Sequence, residues 1–242
     1  METNTVLDVR DLRLQLGTQT VLQGIDLRLQ RGEFVALVGP NGSGKSSLLR
    51  CLVGLHAQAR GTVLIDGIAM AEAAPAARAR LGFAPDPARL PGLLSGEECL
   101  QLFARARGLD AAPQASLQLA DALGFLPWLQ RPVEEYSLGT RQKLSVLLGL
   151  LGEPPLLLLD EPLNGLDPPS AYALKQHLVG RAQRGDSILL ATHAIELAER
   201  HVNGAVLLVE GRLRRRWQRE DIAALRADPQ RSLEAEMVAA LQ

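Results

Sequence analysis

Apolar and polar residues alternate over residues 6–9, 12–16 and 21–29, the period-two pattern of strands with one covered face. Gly17-Thr18-Gln19-Thr20 separates the last two runs as a turn. Arg31-Gly32-Glu33 then leads into Phe34-Val35-Ala36-Leu37-Val38, where the alternation gives way to an unbroken apolar run. Over residues 46–55 the period lengthens, and Leu48, Leu49, Leu52 and Val53 share one helical face. Residues 62–65 and 68–70 flank Asp66-Gly67, a two-residue hairpin signal. The first part of the chain is therefore strand-rich and partly antiparallel.

Residues 71–80 are alanine-rich and predict a short helix broken by Pro75, followed by a strand over 81–84 that stops at Pro85-Asp86-Pro87. The pattern changes at Ser95-Gly96-Glu97-Glu98, a capping box ahead of Leu100, Leu102 and Phe103. Helical periodicity then runs to Leu151, with breaks at Gly108, Pro113, Gly124 and Pro132. The bare apolar run 156–159 suits a parallel strand covered on both faces. Helices are expected over 170–184 and 195–201, strands over 187–191 and 205–209, and helical segments near 220–226 and 232–241. Together these predict one α/β domain over residues 1–242, with a helical subdomain at about 87–152 and a helical tail at 212–242.

Composition narrows this picture. At 242 residues and 47% apolar, the chain can bury a sizeable core. A net charge of −1 speaks against a broad nucleic-acid footprint. Two cysteines, Cys51 and Cys99, imply no disulfide framework and fit a reducing compartment. The first residues lack the pattern of a secretory signal, and the apolar stretches are too short to span a bilayer. A soluble chain is expected, with any membrane role reached through a partner. Arg212, Arg214, Arg215 and Arg216, beside Trp217, read as a solvated face balanced by Glu210, Glu220 and Asp221. His56, His177 and His201 read as surface or packing residues.

The chemistry centres on Gly39-Pro40-Asn41-Gly42-Ser43-Gly44-Lys45-Ser46-Ser47, which joins an apolar strand to a helix. The spacing Gly39-x-x-x-x-Gly44-Lys45-Ser46 is that of a phosphate-binding P-loop in its required context. The glycines leave backbone N–H groups free to face phosphate oxygens, and the helix adds the positive end of its dipole. Lys45 can reach the β- and γ-phosphates, and the Ser46 hydroxyl can ligate Mg²⁺. Asp160 ends an apolar strand, where an acid can hold Mg²⁺ through its water shell. Glu161, next to it, can orient or deprotonate an attacking water. His193, also at a strand end, can bond a γ-phosphate oxygen or that water.

Tyr136-Ser137-Leu138-Gly139-Thr140 precedes a long helix, and here the chain resembles the nucleotide-binding subunits of ABC transporters. Those carry a Leu-Ser-Gly-Gly-Gln-like signature, of which Ser137 and Gly139 remain. Asn164-Gly165-Leu166-Asp167 looks like the D-loop, Thr192-His193 like the H-loop, and Ser232-Leu233-Glu234 is similar to the ending of the ABC-2 export branch. The resemblance covers nearly the whole chain. It implies a P-loop ATPase core, an antiparallel β subdomain and an inserted helical subdomain. It implies ATP and Mg²⁺ as ligands and two subunits meeting head to tail, each ATP covered by Ser137 and Gly139 of the other copy. A transmembrane permease would be driven by closure and opening of that dimer, placing the subunit at the cytoplasmic face of the membrane. Both half-sites lie in one chain, so a homodimer suffices, and no nucleic-acid partner is expected.

Two positions depart from the family pattern. Asp86 stands at the Q-loop glutamine; it can contact Mg²⁺ or its water but, as a carboxylate, cannot donate a hydrogen bond. Leu16 stands where an aromatic ring usually stacks on adenine, which predicts weaker ATP binding and poorer base discrimination. Two other function classes compete. A soluble ABC-type ATPase acting on ribosomes or DNA would usually bring tandem cassettes or long coiled-coil arms, and neither is present here. A low-turnover regulatory module is disfavoured by the intact Glu161.

Overall fold

The computed structural model describes residues 4–193, 200–228 and 230–241. Two sheets organise it. The smaller has four antiparallel strands in the order β2-β1-β4-β5: β1 (Thr5–Leu16), β2 (Gln19–Gln30), β4 (Arg60–Ile65) and β5 (Ile68–Ala69). The larger has six, in the order β10-β9-β3-β8-β7-β6. Its members are β3 (Phe34–Val38), β6 (Leu81–Phe83), β7 (Leu156–Asp160), β8 (Ser187–Ala191), β9 (Gly204–Val209) and β10 (Arg212–Trp217). β3, β6, β7, β8 and β9 run parallel, and β10 turns back antiparallel to β9.

The parallel strands are apolar throughout because both faces are covered. Phe34, Ala36, Val38, Leu157, Leu159, Ile188 and Leu190 enter one core, shared with the helices. The alternate residues Val35, Leu37, Leu156, Leu158 and Leu189 enter a second, between the larger sheet, the smaller sheet and α1 (Lys45–Leu52). One period-two pattern thus feeds two cores.

Between β6 and β7 the regular elements are helical. α3 (Gly96–Ala106) starts on the expected capping box: the Ser95 hydroxyl accepts from Glu98 N, and Ser95 N donates 2.7 Å to Glu98 Oε2. α4 (Gln114–Ala122), two 3-10 turns and α5 (Leu138–Leu150) follow. α5 is buried along most of its length; Val146, Leu147, Leu148 and Leu150 are apolar, while Thr140, Gln142 and Ser145 are buried polar residues. α6 (Pro168–Gln183) precedes β8, and α7 (Arg219–Ala227) and α8 (Leu233–Leu241) close the chain, burying Ile222, Leu225, Leu233 and Met237 beside Trp217.

Several expectations are corrected. The strands at 6–9 and 12–16 are one, β1, interrupted by a register shift where Asp11 takes a positive φ of 45°. Pro75 does not break its helix: in α2 (Ala74–Ala79) it occupies the first turn, where no N–H is needed. Residues 212–217 do not belong to the helical tail. They form β10, joined to β9 by Glu210 (φ 48°) and Gly211 (φ 70°), a two-residue turn with both angles positive. The arginines there mask the strand pattern, and an edge strand tolerates them. Their partners also differ from expectation. Arg216 meets Glu33 at 3.2 Å, and Arg215 meets Glu236 at 2.5 Å while lying over Trp217. Of the helix expected over 195–201, residues 195–199 lie outside the described residues, and 200 and 201 are helical.

Candidate functional site

Parallel strands end on one edge of the sheet, so the segments that leave them converge there. β3, β8 and β7 are neighbours: Leu37 pairs with Ala191, and Ala191 with Asp160. The 39–44 loop comes directly after β3, Asp160 and Glu161 close β7, and His193 comes just after β8. These sequence-predicted residues are therefore brought to one edge.

The loop holds its shape through its glycines. A Cβ at Gly39 would overlap the carbonyl of Leu208, and one at Gly44 would lie 3.2 Å from Leu22 Cδ2. Gly42, with φ 79°, has nothing within 4 Å of such a Cβ, so the crown of the loop is open. Pro40 and Asn41 are exposed beside it. Gly44 caps α1 in a left-handed conformation with no side-chain cap bond, leaving the first N–H groups of the helix to an outside acceptor. Lys45 is buried, and its Nζ donates to Gly39 O at 2.8 Å and Pro40 O at 3.2 Å. Ser43 Oγ is buried with no hydrogen-bond partner. Ser46 and Ser47 occupy the first turn of α1. An ammonium resting on loop carbonyls, an orphaned hydroxyl and an uncapped helix start all fit a polyphosphate.

Glu161 adopts φ 46°, an uncommon angle for a residue with a side chain, and its N–H donates to Ala191 O at 2.9 Å. That conformation aims its carboxylate at His193, whose Nδ1 lies 2.9 Å from Glu161 Oε1. The imidazole is largely exposed, while Glu161 is three-quarters covered. Asp160 is half-buried at the strand end.

Ser137 and Gly139 stand at the start of α5. Ser137 is its N-cap: Oγ accepts from Thr140 N at 3.2 Å and lies 2.9 Å from Thr140 Oγ1. A Cβ on Gly139 would lie 2.5 Å from Gly165 O, so the signature and D-loop segments touch through backbone. Asp167 caps α6 by accepting from Ser170 N at 2.8 Å, and its other oxygen is 2.7 Å from Lys143 Nζ. Those bonds, Lys143 first, hold its carboxyl well below the usual carboxylate range. Gln142 Nε2 adds a bond to Pro162 O at 3.1 Å. Sequence reading singles out neither Lys143 nor Gln142. Their only signal is helical spacing along α5, downstream of Gly139.

Tyr136, in place of the family's leucine, is buried against Phe125 and Trp128, and its hydroxyl donates to Trp128 O at 2.6 Å. Asp86 caps a 3-10 turn by accepting from Ala88 N at 3.0 Å, with Arg89 at 3.8 Å. Its carboxylate is thus engaged locally. No group of three His, Cys, Asp or Glu side chains converges as a metal site among the described residues. A P-loop cation site does not require one, since a hydroxyl, one acid, water and phosphate oxygens complete it. Leu16 ends β1 at 37% exposure, just before Gly17. No described helix is long and apolar enough to cross a membrane.

The ABC transporter family model matches residues 22–164. Nod factor export ATP-binding protein I of Cupriavidus metallidurans is 36% identical over 210 residues, 86% of this chain and 69% of that protein. ATP-binding cassette sub-family A member 7 of Rattus norvegicus is 34% identical over 180 residues, 74% of this chain. The chain spans only 8% of the rat protein's length. A solved ATP-binding subunit of an ABC transporter superposes with a TM-score of 0.87 at 32% identity, covering 98% of this chain and 100% of that one. A dimeric, post-hydrolysis ATP-binding cassette bound to ADP and Pi shares the fold, with a TM-score of 0.75 at 23% identity over 88% of this chain and 98% of that one.

Proposed function

We propose, from the premise that this chain belongs to the ABC transporter family, that it is the ATP-binding and ATP-hydrolysing subunit of a membrane transporter. One observation carries the reading: the Lys45 loop, Asp160–Glu161 and His193 meet at the ends of three adjacent parallel strands. That arrangement supports reading the loop as a phosphate cradle, Asp160 as the acid that would hold a cation and Glu161 as the base. Residues 1–242 act as one ATPase domain, with the helical part at about 87–152 inserted in it.

On nucleotide binding, Lys45 exchanges Gly39 O and Pro40 O for β- and γ-phosphate oxygens, and loop N–H groups and the start of α1 take the remaining charge. Ser46 and Asp160 are the residues that would hold Mg²⁺, which when bound neutralises charge developing on the phosphates. Glu161 orients the attacking water and takes its proton, and His193, bonded to Glu161, fixes the carboxylate's direction. By the likeness of residues 136–140 to the family signature, Ser137 and Gly139 act on the γ-phosphate held by a second copy. The dimer closes on ATP and reopens after hydrolysis, driving a permease from the cytoplasmic face of the membrane. The named function of the Cupriavidus relative supports export as the direction.

Purification together with neighbouring gene products tests this reading. A membrane protein that retains the chain and stimulates its ATPase is the expected partner. Retention of ribosomal or nucleic-acid material in its place would overturn it.

A further inference from the structure

The face of α5 that carries Gln142, Ser145 and Gly149 lies on the exits of two neighbouring strands. Phe83 of β6 pairs with Leu158 of β7, so the two strands leave the sheet side by side. Each meets a proline soon after its end, Pro85 and Pro162. α5 takes up the carbonyl of each. The buried Gln142 donates from Nε2 to Pro162 O at 3.1 Å, and the buried Ser145 hydroxyl donates to Pro85 O. Gly149 closes the seam, where a Cβ would lie 2.7 Å from Ala84 N.

The bond to Pro162 falls where the backbone most needs support. Glu161 stands at φ 46°, and it precedes a proline, a position that ordinarily favours extended backbone at negative φ. Such a conformation persists only where its surroundings hold it. Three bonds do so here. Glu161 N donates to Ala191 O at 2.9 Å, Asn164 N donates to Glu161 O at 3.1 Å, and Gln142 Nε2 holds the next carbonyl, Pro162 O. The first two are backbone to backbone. The third comes from a side chain, on the helix that Ser137 caps.

We propose that Gln142 is a positioning residue for ATP hydrolysis. By fixing Pro162 O it keeps the Glu161 carboxylate turned toward His193, and it ties that direction to the helix whose start carries Ser137. A movement of α5 then reaches the Glu161 backbone directly. This rests on the reading of Glu161 as the group that takes the proton of the attacking water.

ATP hydrolysis and calorimetric ATP binding by the purified full chain test it, in Gln142→Met, Glu161→Gln and the double variant. Methionine keeps the length of the side chain and removes the donor. Gln142→Met should lower kcat by about tenfold and leave the Kd for ATP within about twofold, because the phosphate loop is untouched. In the Glu161→Gln background the same substitution should change the residual single-turnover rate by less than about twofold, since no carboxylate is left to position. Gln142→Asn, one methylene shorter, draws the amide away from Pro162 O; it should lower kcat likewise and serves if the methionine variant misfolds. Unchanged kcat in the Gln142 variants, a rate lost through weaker ATP binding, or a full further loss in the double variant overturns the proposal while leaving Glu161 in the chemistry. Wild-type turnover by Glu161→Gln removes the Glu161 reading and this one together.

Discussion

His193 Nδ1 and Glu161 Oε1 stand 2.9 Å apart, joining the ends of two adjacent parallel strands. The bond aims a carboxylate that already sits on an unusual backbone angle, at φ 46°. Glu161→Gln should abolish steady-state ATP turnover, with a loss of about 10²–10⁴-fold, and accumulate an ATP-bound dimer visible by size-exclusion chromatography. His193→Ala should lower kcat more than it raises KM, because it removes the orienting partner and not the phosphate cradle. Wild-type hydrolysis by the Glu161 variant would remove that residue from the chemistry.

Leu16→Tyr should tighten ATP binding. A base–aromatic stack is worth about 1–3 kcal/mol, or roughly five- to 150-fold in Kd. The position is exposed and ends a strand, so the larger side chain is tolerated. Calorimetric titration of both forms is the measurement, and an unchanged Kd would place the base away from this hairpin.

Asp167 couples α6 to α5 through Ser170 N and Lys143, and its pKa is depressed. Such a group stabilises the fold fully above its unfolded value, near pH 4, and the stabilisation is lost as pH falls toward the folded value. Asp167→Asn keeps a capping oxygen but loses the charge. It should lower Tm by about 1–3 °C at pH 7, after allowance for solvent screening, and the gap should narrow progressively as pH falls below about 4. Asp167→Ala loses the cap as well and should cost more at both pH values. Thermal melts of the three proteins decide it; a gap independent of pH would mean that the Lys143 bond contributes nothing.

Burial pushes the Cys51 thiol up to about 12 and the Cys99 thiol up to about 11. Both should therefore be silent to a maleimide or a disulfide reagent at pH 8 in the native protein. Two equivalents should react once the chain is unfolded in guanidinium. Fast labelling of the folded form would show that one of the two cores opens readily.

Much of this arrangement is legible in the sequence, for physical reasons. The larger sheet is visible because strands covered on both faces must be apolar at every position, as 34–38 and 156–159 are. The phosphate loop is visible because a close backbone approach at Gly39 leaves no room for a Cβ and the positive φ of Gly42 and Gly44 favours glycine. The Asp66-Gly67 turn and the Ser95–Glu98 box are local, so a few residues suffice to specify them. β10 is not legible, because its pairing is set by β9 and its guanidinium partners are Glu33 and Glu236, both distant from it or hidden in a helix. The contact of Gly139 with Gly165 and the bond from Lys143 to Asp167 have the same character. Matching Asp86 to a family position misses its own neighbours, which make it the cap of a short turn.

The phosphate loop leans on residues that come far later in the chain. Gly39 packs under the carbonyl of Leu208, Ser43 O accepts from Gly211 N, and β3 is flanked by β8 and β9. On the ribosome, a nascent chain that has just released its glycine-rich segment cannot yet shape it. The loop becomes competent only when the strands through residue 211 have emerged. A stalled or truncated product ending before that point carries the whole motif and grips nothing.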